Sequence, residues 1–184
     1  MPGNSGDISR FTLVSLDDRH LRRRAEFAND PELRRLFGFS IDGPRETLDS
    51  ERRWFSARIA AGDVLLAIEV DGQYVGDIDV FFPRGGSSAE FTLVIGDARF
   101  RGVGIGTEVV QRVLQWLFVG EPQSLGTPPH PVSHVDVDTE PGRNPLAHRF
   151  WLKQGFEFDH MEDNLQWLRL TREAWLARRV HVAG

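Results

Sequence analysis

The sequence predicts an α/β (α+β) domain: a central mixed, mostly antiparallel twisted sheet of about seven strands, flanked by about four to five helices. Three observations carry this. Short runs that are apolar or alternate with period two recur along the chain, as strands do. Turn signals at Asp71-Gly72 and Gly85-Gly86 tie three of these runs into an antiparallel meander. Helix-length runs lie before, between and after the strands.

Taken in order, residues 11–16 (FTLVSL) form the first strand. Asp17 and Asp18 cap a helix that runs to about residue 29, where Pro31 interrupts it. Residues 46–61 read as a helix with Leu48, Trp54, Phe55 and Ile59 on its apolar side. The meander follows: 64–70, 74–82 and 90–95, ending at Gly96. A glycine-rich stretch then opens a helix over 105–118. Residues 119–131 hold Pro122, Pro128, Pro129 and Pro131 and form a loop, long enough for a lid, an oligomer contact or a surface insertion. Residues 132–138 are a strand, TEPGRN a turn, and 145–154 a helix with Pro145 in its first turn and Gly155 as C-cap. Residues 156–161 and 166–170 make a closing hairpin, and TREAWLARR a terminal helix. No repeat or domain boundary stands out, so residues 1–10 read as a flexible leader and 11–184 as one domain.

Composition narrows the function. A chain of 184 residues, 40% hydrophobic and 27% charged, can bury a core of its own. It has no apolar run of transmembrane length and no apolar signal core at its N-terminus, so the expectation is a cytoplasmic protein with no membrane partner. The absence of cysteine excludes a cysteine nucleophile and thiolate metal sites, and no metal is expected. A net charge of −5 argues against nucleic acid and suits a cationic substrate. The run Arg22-Arg23-Arg24 reads as a solvated helix face.

The stretch RFRGVGIGTEVVQRVLQWLF, residues 99–118, carries the chemistry. Strand, glycine-rich turn and helix in that order leave unpaired N–H groups at a positive helix end, where an anion binds. The pattern is neither the dinucleotide-binding GxGxxG, because position 109 is Val, nor the P-loop. It is Arg101-x-x-Gly104-x-Gly106, which resembles the acetyl-CoA signature of the GCN5-related N-acetyltransferases, [QR]xxGx[GA]. Downstream, Asn144, Ala147, Lys153, Gly155 and Phe156 resemble that family's second motif. The resemblance runs in element order over residues 11–170.

The resemblance implies the family's fold, with the sheet splayed at the cofactor slot, and acetyl-CoA as donor. Backbone N–H groups of Arg101, Gly102, Val103, Gly104, Ile105, Gly106 and Thr107 would cradle the coenzyme's pyrophosphate, with charge from Arg101 and a hydroxyl from Thr107. Val94 and Ile95 would pair with the pantetheine arm and supply an N–H to the developing oxyanion, and Asn144 would lie beside that arm. Asn144 is equally a helix N-cap before Pro145.

Direct transfer to an amine needs a proton acceptor. Asp77 and Asp79 share one face of their strand, Glu90 and Thr92 one face of the next, and Asp136 and Asp138 one face of the strand before Asn144. Glu90 and Asp138 rank first as catalytic bases because their strands would flank the slot. Many family members carry a Tyr seven residues after the motif Asn; here Trp151 stands there, with His148 one turn earlier. Residues 94–110 resemble the ribosomal-protein N-terminal acetyltransferases, and residues 117–123 with 136–156 resemble the aminoglycoside 6′-acetyltransferase and siderophore-acylating branch. For the second, Asp138 and Glu140 fall where that branch carries an acid, but Thr92 stands where it carries Asp or His. Asp79, Thr92, Glu140 and Trp151 are the candidate substrate contacts, and Trp54, Phe55, Phe81, Phe82 and Trp151 the candidate pocket aromatics. The leaning is toward a small polyamine-like or aminoglycoside-like amine, handled by a monomer or homodimer. A protein N-terminal acetyltransferase, a non-catalytic acyl-CoA-binding module and a nucleotide site on the glycine turn are the alternatives.

Overall fold

Seven strands form one sheet in the order β1-β2-β3-β4-β5-β7-β6. They are β1 (Thr12–Ser15), β2 (Val64–Val70), β3 (Gln73–Phe81), β4 (Ser88–Ile95), β5 (His134–Thr139), β6 (Glu157–Glu162) and β7 (Leu165–Thr171). The helices are α1 (Asp18–Ala28), α2 (Pro31–Leu36), α3 (Leu48–Ala61), α4 (Ile105–Val119), α5 (Pro145–Gln154) and α6 (Arg172–Val182). This computed structural model describes residues 10–83 and 86–182. The expected leader, apart from Arg10, and Gly85 of the expected Gly85-Gly86 turn lie outside the described residues. No helix among the described residues is long and apolar enough to cross a membrane.

Alternation with period two divides the sheet into two different faces. Ile78 and Val80 on β3 lie across from Leu93 and Phe91 on β4. With Val135 and Val137 of β5 they pack under Val109, Val113, Leu114 and Trp116 of α4 and Trp151 of α5, forming the main core. The opposite face carries Asp77, Asp79 and Phe81 across from Val94, Thr92 and Glu90, and Glu90 pairs in turn with Asp136. Helices α1 and α3 cover this side through a smaller core of Leu21, Leu65 and Ala67, with Trp54, Phe55 and Tyr74 packed against it. The sequence places Asp77 with Asp79, Glu90 with Thr92, and Asp136 with Asp138 on one face of their strands; the sheet places all three pairs on the same face.

One pairing is unlike the rest. Every neighbouring pair is antiparallel except β4 and β5, which run parallel. These two pair only at Ser88–His134, Ala89–Val135 and Glu90–Asp136. Beyond Glu90 both strands continue, β4 to Ile95 and β5 to Thr139, without each other. The sheet is therefore splayed between them.

Several local expectations change. Pro31 does not merely interrupt a helix; it opens a second one, α2, whose Leu33 amide donates to the Asp30 side chain. Ile59 is 50% exposed and does not belong to the apolar side of α3. Arg24 is not on a solvated face, because its guanidinium is directed at the buried acids of the sheet. Strand β5 begins at His134, two residues later than expected, although Val132 is already buried. The loop 119–131 packs down on the protein: Trp116 donates to the Gly126 carbonyl at 2.8 Å, and Leu125 meets the main core.

Gly96 shows how tightly the end of β4 is built. A Cβ there would lie 2.1 Å from the ring of Phe27 on α1. Gly96→Ala is therefore expected to destabilise the protein by ~1–3 kcal/mol through overpacking. Adding Phe27→Leu should recover part of the loss in urea unfolding. A Gly96→Ala midpoint equal to that of the wild type would refute this packing.

Candidate active site

The splay creates a wedge-shaped cavity of about 180 Å³. Its walls are Phe91, Thr92 and Leu93 of β4 and Asp138 and Thr139 of β5, with Asn144, Ala147 and Trp151 of the α5 region closing it. Asn144 is the N-cap of α5: its Oδ1 accepts from the Ala147 amide at 3.0 Å. Trp151, 6% exposed, packs against Phe91, Phe150 and Phe156 and is a wall of the wedge and part of the main core. The Thr139 hydroxyl donates to the Gln166 carbonyl and lies 3.0 Å from Nδ1 of His148. Glu140 also lines the wedge and pairs with Arg143 at 2.8 Å.

The three alternate glycines have separate reasons. Gly102 and Gly104 have φ of +73° and +95°, a backbone region that side chains disfavour. Gly102 has open space around it, and Gly104 meets only the tips of Arg10 and Glu108. Gly104 is the N-cap of α4 and has no side-chain cap bond. The first amides of the helix, Ile105, Gly106 and Thr107, thus have no acceptor within α4. Gly106 is different: it packs against Leu93 and Phe150, which seats the first turn of α4 on the wall of the wedge. An exposed, uncapped helix end of this kind fits the phosphates of coenzyme A.

Some side chains expected at that cradle are engaged elsewhere. The Arg101 guanidinium donates to the Ile95 and Gly96 carbonyls, both at 2.8 Å, and pairs with Glu32 at 2.7 Å. It clamps the end of β4 to α2 instead of reaching outward to a phosphate. Ile105 is buried in the main core, Val103 is exposed, and the Thr107 hydroxyl accepts from Gln154 at 3.3 Å. The cation beside the turn is Arg10, the last residue of the expected leader, which donates to the Val103 carbonyl and pairs with Glu108.

A larger cavity of about 630 Å³ lies between the acid face of the sheet and helices α1, α2 and α3. Phe37 and Thr92 line both this cavity and the wedge, so the two spaces meet there. Its floor is a buried charge cluster. The guanidinium of Arg24 lies 2.5 Å from Glu51, 3.4 Å from Asp77 and 3.3 Å from Asp79, and stacks 3.7 Å from the centre of the Trp54 ring. The Tyr74 hydroxyl donates to Asp77. Burial, and then the charge of Asp77, push the Asp79 carboxyl well above the usual carboxylate range, against the pull of Arg24. Burial likewise raises Glu51 and, with Asp77, Tyr74. Burial opposes the charge of Arg24, yet Asp77, Asp79 and Glu51 raise its pKa above the ordinary value.

The structure brings together Thr92, Asp138, Glu140, Asn144 and Trp151 in the wedge, and Asp79, Thr92 and Val94 in the larger cavity. Glu90 stands at the closed end of the splay beside Asp136, and its carboxyl is raised by burial first and then by Asp136 and Asp138. Asp136 itself is held by Arg169 at 2.8 Å. Of the expected pocket aromatics, Trp54 and Phe81 line the larger cavity. Phe55 packs in the smaller core, and Phe82 against the main core and His130. None of residues 119–131 lines either cavity; the cover comes from Phe37, Phe39, Ser40, Gly43 and Pro44 between α2 and α3. That segment carries no motif, and sequence reasoning missed it. Arg24 was readable, because it falls three residues after the buried Leu21 and so on the same helix face.

Comparison with known proteins gives three results. A family model described as an acetyltransferase (GNAT) domain matches residues 10–157. No curated protein sequence matches. Among solved structures, the aminoglycoside acetyltransferase AAC(6′)-Ib in complex with coenzyme A superposes with a TM-score of 0.73 at 20% identity, covering 92% of this chain and 99% of that one. Spermidine N-acetyltransferase from Vibrio cholerae, in complex with CoA and spermine, gives 0.70 at 16% identity, covering 91% and 99%. A domain from Methanocaldococcus jannaschii gives 0.68 at 17%, covering 88% and 97%. All share the overall fold of this chain.

The buried acids set a pH dependence. A carboxyl raised in the folded state binds its proton more tightly there than in the unfolded chain. Its contribution to stability is full below the ordinary carboxylate pKa and is lost as pH rises toward the raised value. Asp79→Asn removes this for the most strongly buried member. In urea unfolding at a series of pH values, the wild type should lose stability relative to Asp79→Asn as pH rises above the ordinary carboxylate range. Parallel pH profiles would show that Asp79 is ionised throughout.

Proposed function

This chain belongs to the GNAT acetyltransferase family, and from that premise we propose that it moves the acetyl group of acetyl-CoA directly onto a primary amine of a small cationic acceptor. The observation that carries the reading is the meeting of two spaces at Thr92: a wedge beside an open helix end, and a cavity floored by acids. Spermine and kanamycin, the amines bound to structural relatives, are cations of this broad class.

Acetyl-CoA supplies an acetyl group activated as a thioester. The chain supplies its seat. Backbone amides from Gly102 to Thr107 hold the pyrophosphate, with Arg10 adding positive charge at Val103. The edge of β4 at Val94 and Ile95, left without β5 beside it, pairs with the amides of the pantetheine arm. Asn144 contributes by fixing the start of α5 at the wedge.

The acceptor arrives as an ammonium ion and must lose a proton to become a nucleophile. Carboxylates on the acid face hold it and take that proton. Glu90, raised by burial and by its acidic neighbours, is suited to holding a proton, and Asp138 faces it from β5. Trp151 is buried among aromatic rings and carries no acidic proton for the departing thiolate. With no cysteine in the chain, an acyl-enzyme on sulfur is not available, which suits direct transfer. The cavity beside Trp54 is open, which favours an acceptor site over a module that only binds acyl-CoA.

Calorimetric titration should show acetyl-CoA binding with a Kd on the order of micromolar, and weaker binding of ATP and NAD. Gly104→Val, which forces a branched residue to φ near +95°, should weaken acetyl-CoA binding by about tenfold or more without unfolding the protein. Thiol release from acetyl-CoA with an amine panel reads the reaction. Preference for ATP or NAD would sink the reading.

A further inference from the structure

We propose that the larger cavity takes an acceptor with one ammonium group on an apolar body, and that the ammonium docks on the free carboxylate oxygens of Asp77 and Asp79. This rests on the acetyltransferase reading and narrows its acceptor.

The first observation is a pair of unpartnered atoms. Asp77 is 2% and Asp79 1% exposed, yet Oδ1 of each has no hydrogen-bond partner. Buried carboxylate oxygens normally have partners, because an unmet one loses its hydration for nothing. Both aspartates line the cavity, and their cross-strand partners are Val94 and Thr92. A donor placed there by a ligand would complete the site, and it would stand where the cavity meets the wedge.

The second observation is charge. Arg24 is one guanidinium facing the three carboxyl groups of Glu51, Asp77 and Asp79. With one cation for three acids, Asp79 and Glu51 hold their protons above the usual carboxylate range, and an ammonium docked at the aspartates takes the place of the proton that Asp79 releases. A second cation farther out would not find an acid so placed. Arg34 and Arg58 line the outer cavity: Arg34 donates to the Ser40 carbonyl at 2.6 and 2.8 Å, and Arg58 lies over Phe81 and 3.5 Å from Asp63. Glu46 also lines the cavity, but it is exposed to solvent, which screens its charge, and it accepts from Ser50 at 2.7 Å. These arginines repel an extended polycation.

The third observation is the wall. Phe27, Leu33, Phe37, Phe39, Trp54 and Phe81 surround the space above the acids. Its volume of about 630 Å³ suits a small organic molecule. Aromatic walls reward an apolar body and leave the many hydroxyls of an aminosugar without partners.

The test uses the full chain with CoA present, and phenethylamine as probe. Trp54 in the cavity makes tryptophan fluorescence the binding readout. Phenethylamine should bind, phenethyl alcohol should bind about tenfold or more weakly for want of the charge, and spermidine and kanamycin should bind more weakly than phenethylamine. Asp79→Asn should lose about tenfold in phenethylamine affinity, with acetyl-CoA titration as its fold control. Equal binding of the amine and the alcohol, or tighter binding of spermidine or kanamycin, would overturn the proposal. Thiol release measured in parallel separates the two levels. Phenethylamine binding without acetylation of any amine would refute the acetyltransferase reading and leave this site standing. Acetylation of spermidine or kanamycin alone would do the reverse.

Discussion

The parting of β4 from β5 after three paired residues is the constraint on which the rest of the molecule depends. These are the sheet's only parallel neighbours among the described residues, and a parallel pair requires a long crossover between its strands. The glycine turn, α4 and the loop 119–131 make that crossover. Because α4 must leave from the end of β4, its N-terminus is delivered beside the opening. Gly106 lets its first turn sit against Leu93. Arg101, bonded to the last carbonyls of β4, fixes the same corner from the other side. Unpaired backbone inside a fold is costly unless something completes it. The splay therefore leaves a strand edge and a helix end together, both made of backbone and both suited to one long ligand.

The opposite demand falls on the sheet face toward α1 and α3. Alternation that gives α4 a face of Ile, Val and Phe necessarily sends the acids of β3, β4 and β5 to the other side. Burying Asp77 and Asp79 without compensation would be prohibitive, and Arg24 on α1 provides it from across the interface. Trp54 stacks on that guanidinium and Tyr74 donates to Asp77, so the cluster is held by α1, α3, β3 and their packing together. The positions of these helices and the charge state of the cavity are consequently one problem. A change that moves α1, as a larger residue at Gly96 would by displacing Phe27, also moves the only guanidinium bound to the aspartates among the described residues.

What was legible in the sequence follows this division. The meander, the glycine turn and the Asn144–Gly155 segment announce themselves because turns, caps and strand alternation are local properties with local residue requirements. Helix α2 did not, because Asp30-Pro31 reads equally as an end and a beginning. The Arg101 side chain was assigned to the ligand because its motif position is known only as a residue type, whereas its partners on β4 and α2 exist only after folding. The run Arg22-Arg23-Arg24 averages to a surface, and only the helical spacing of Arg24 from the buried Leu21 sets it apart from its neighbours. The two orphan oxygens, and the Arg24 Nε beside them that likewise lacks a hydrogen-bond partner, depend on a three-dimensional arrangement that no spacing encodes.

The same division accounts for a fold that persists at 16–20% identity to its structural relatives. A donor site built from main-chain amides and strand edges tolerates almost any side chain that keeps φ positive at two glycines and the strands apart. An acceptor site built from Phe27, Phe37, Phe39, Trp54 and the aspartates has no such insulation, since each substitution changes its shape or charge. Sequence drift in this architecture erodes the acceptor's signature first and the donor's last. The likeness to enzymes that hold spermine or kanamycin then carries the fold across, while the acceptor site proposed above rests on the side chains of this cavity: one guanidinium, three acids and a wall of aromatic rings.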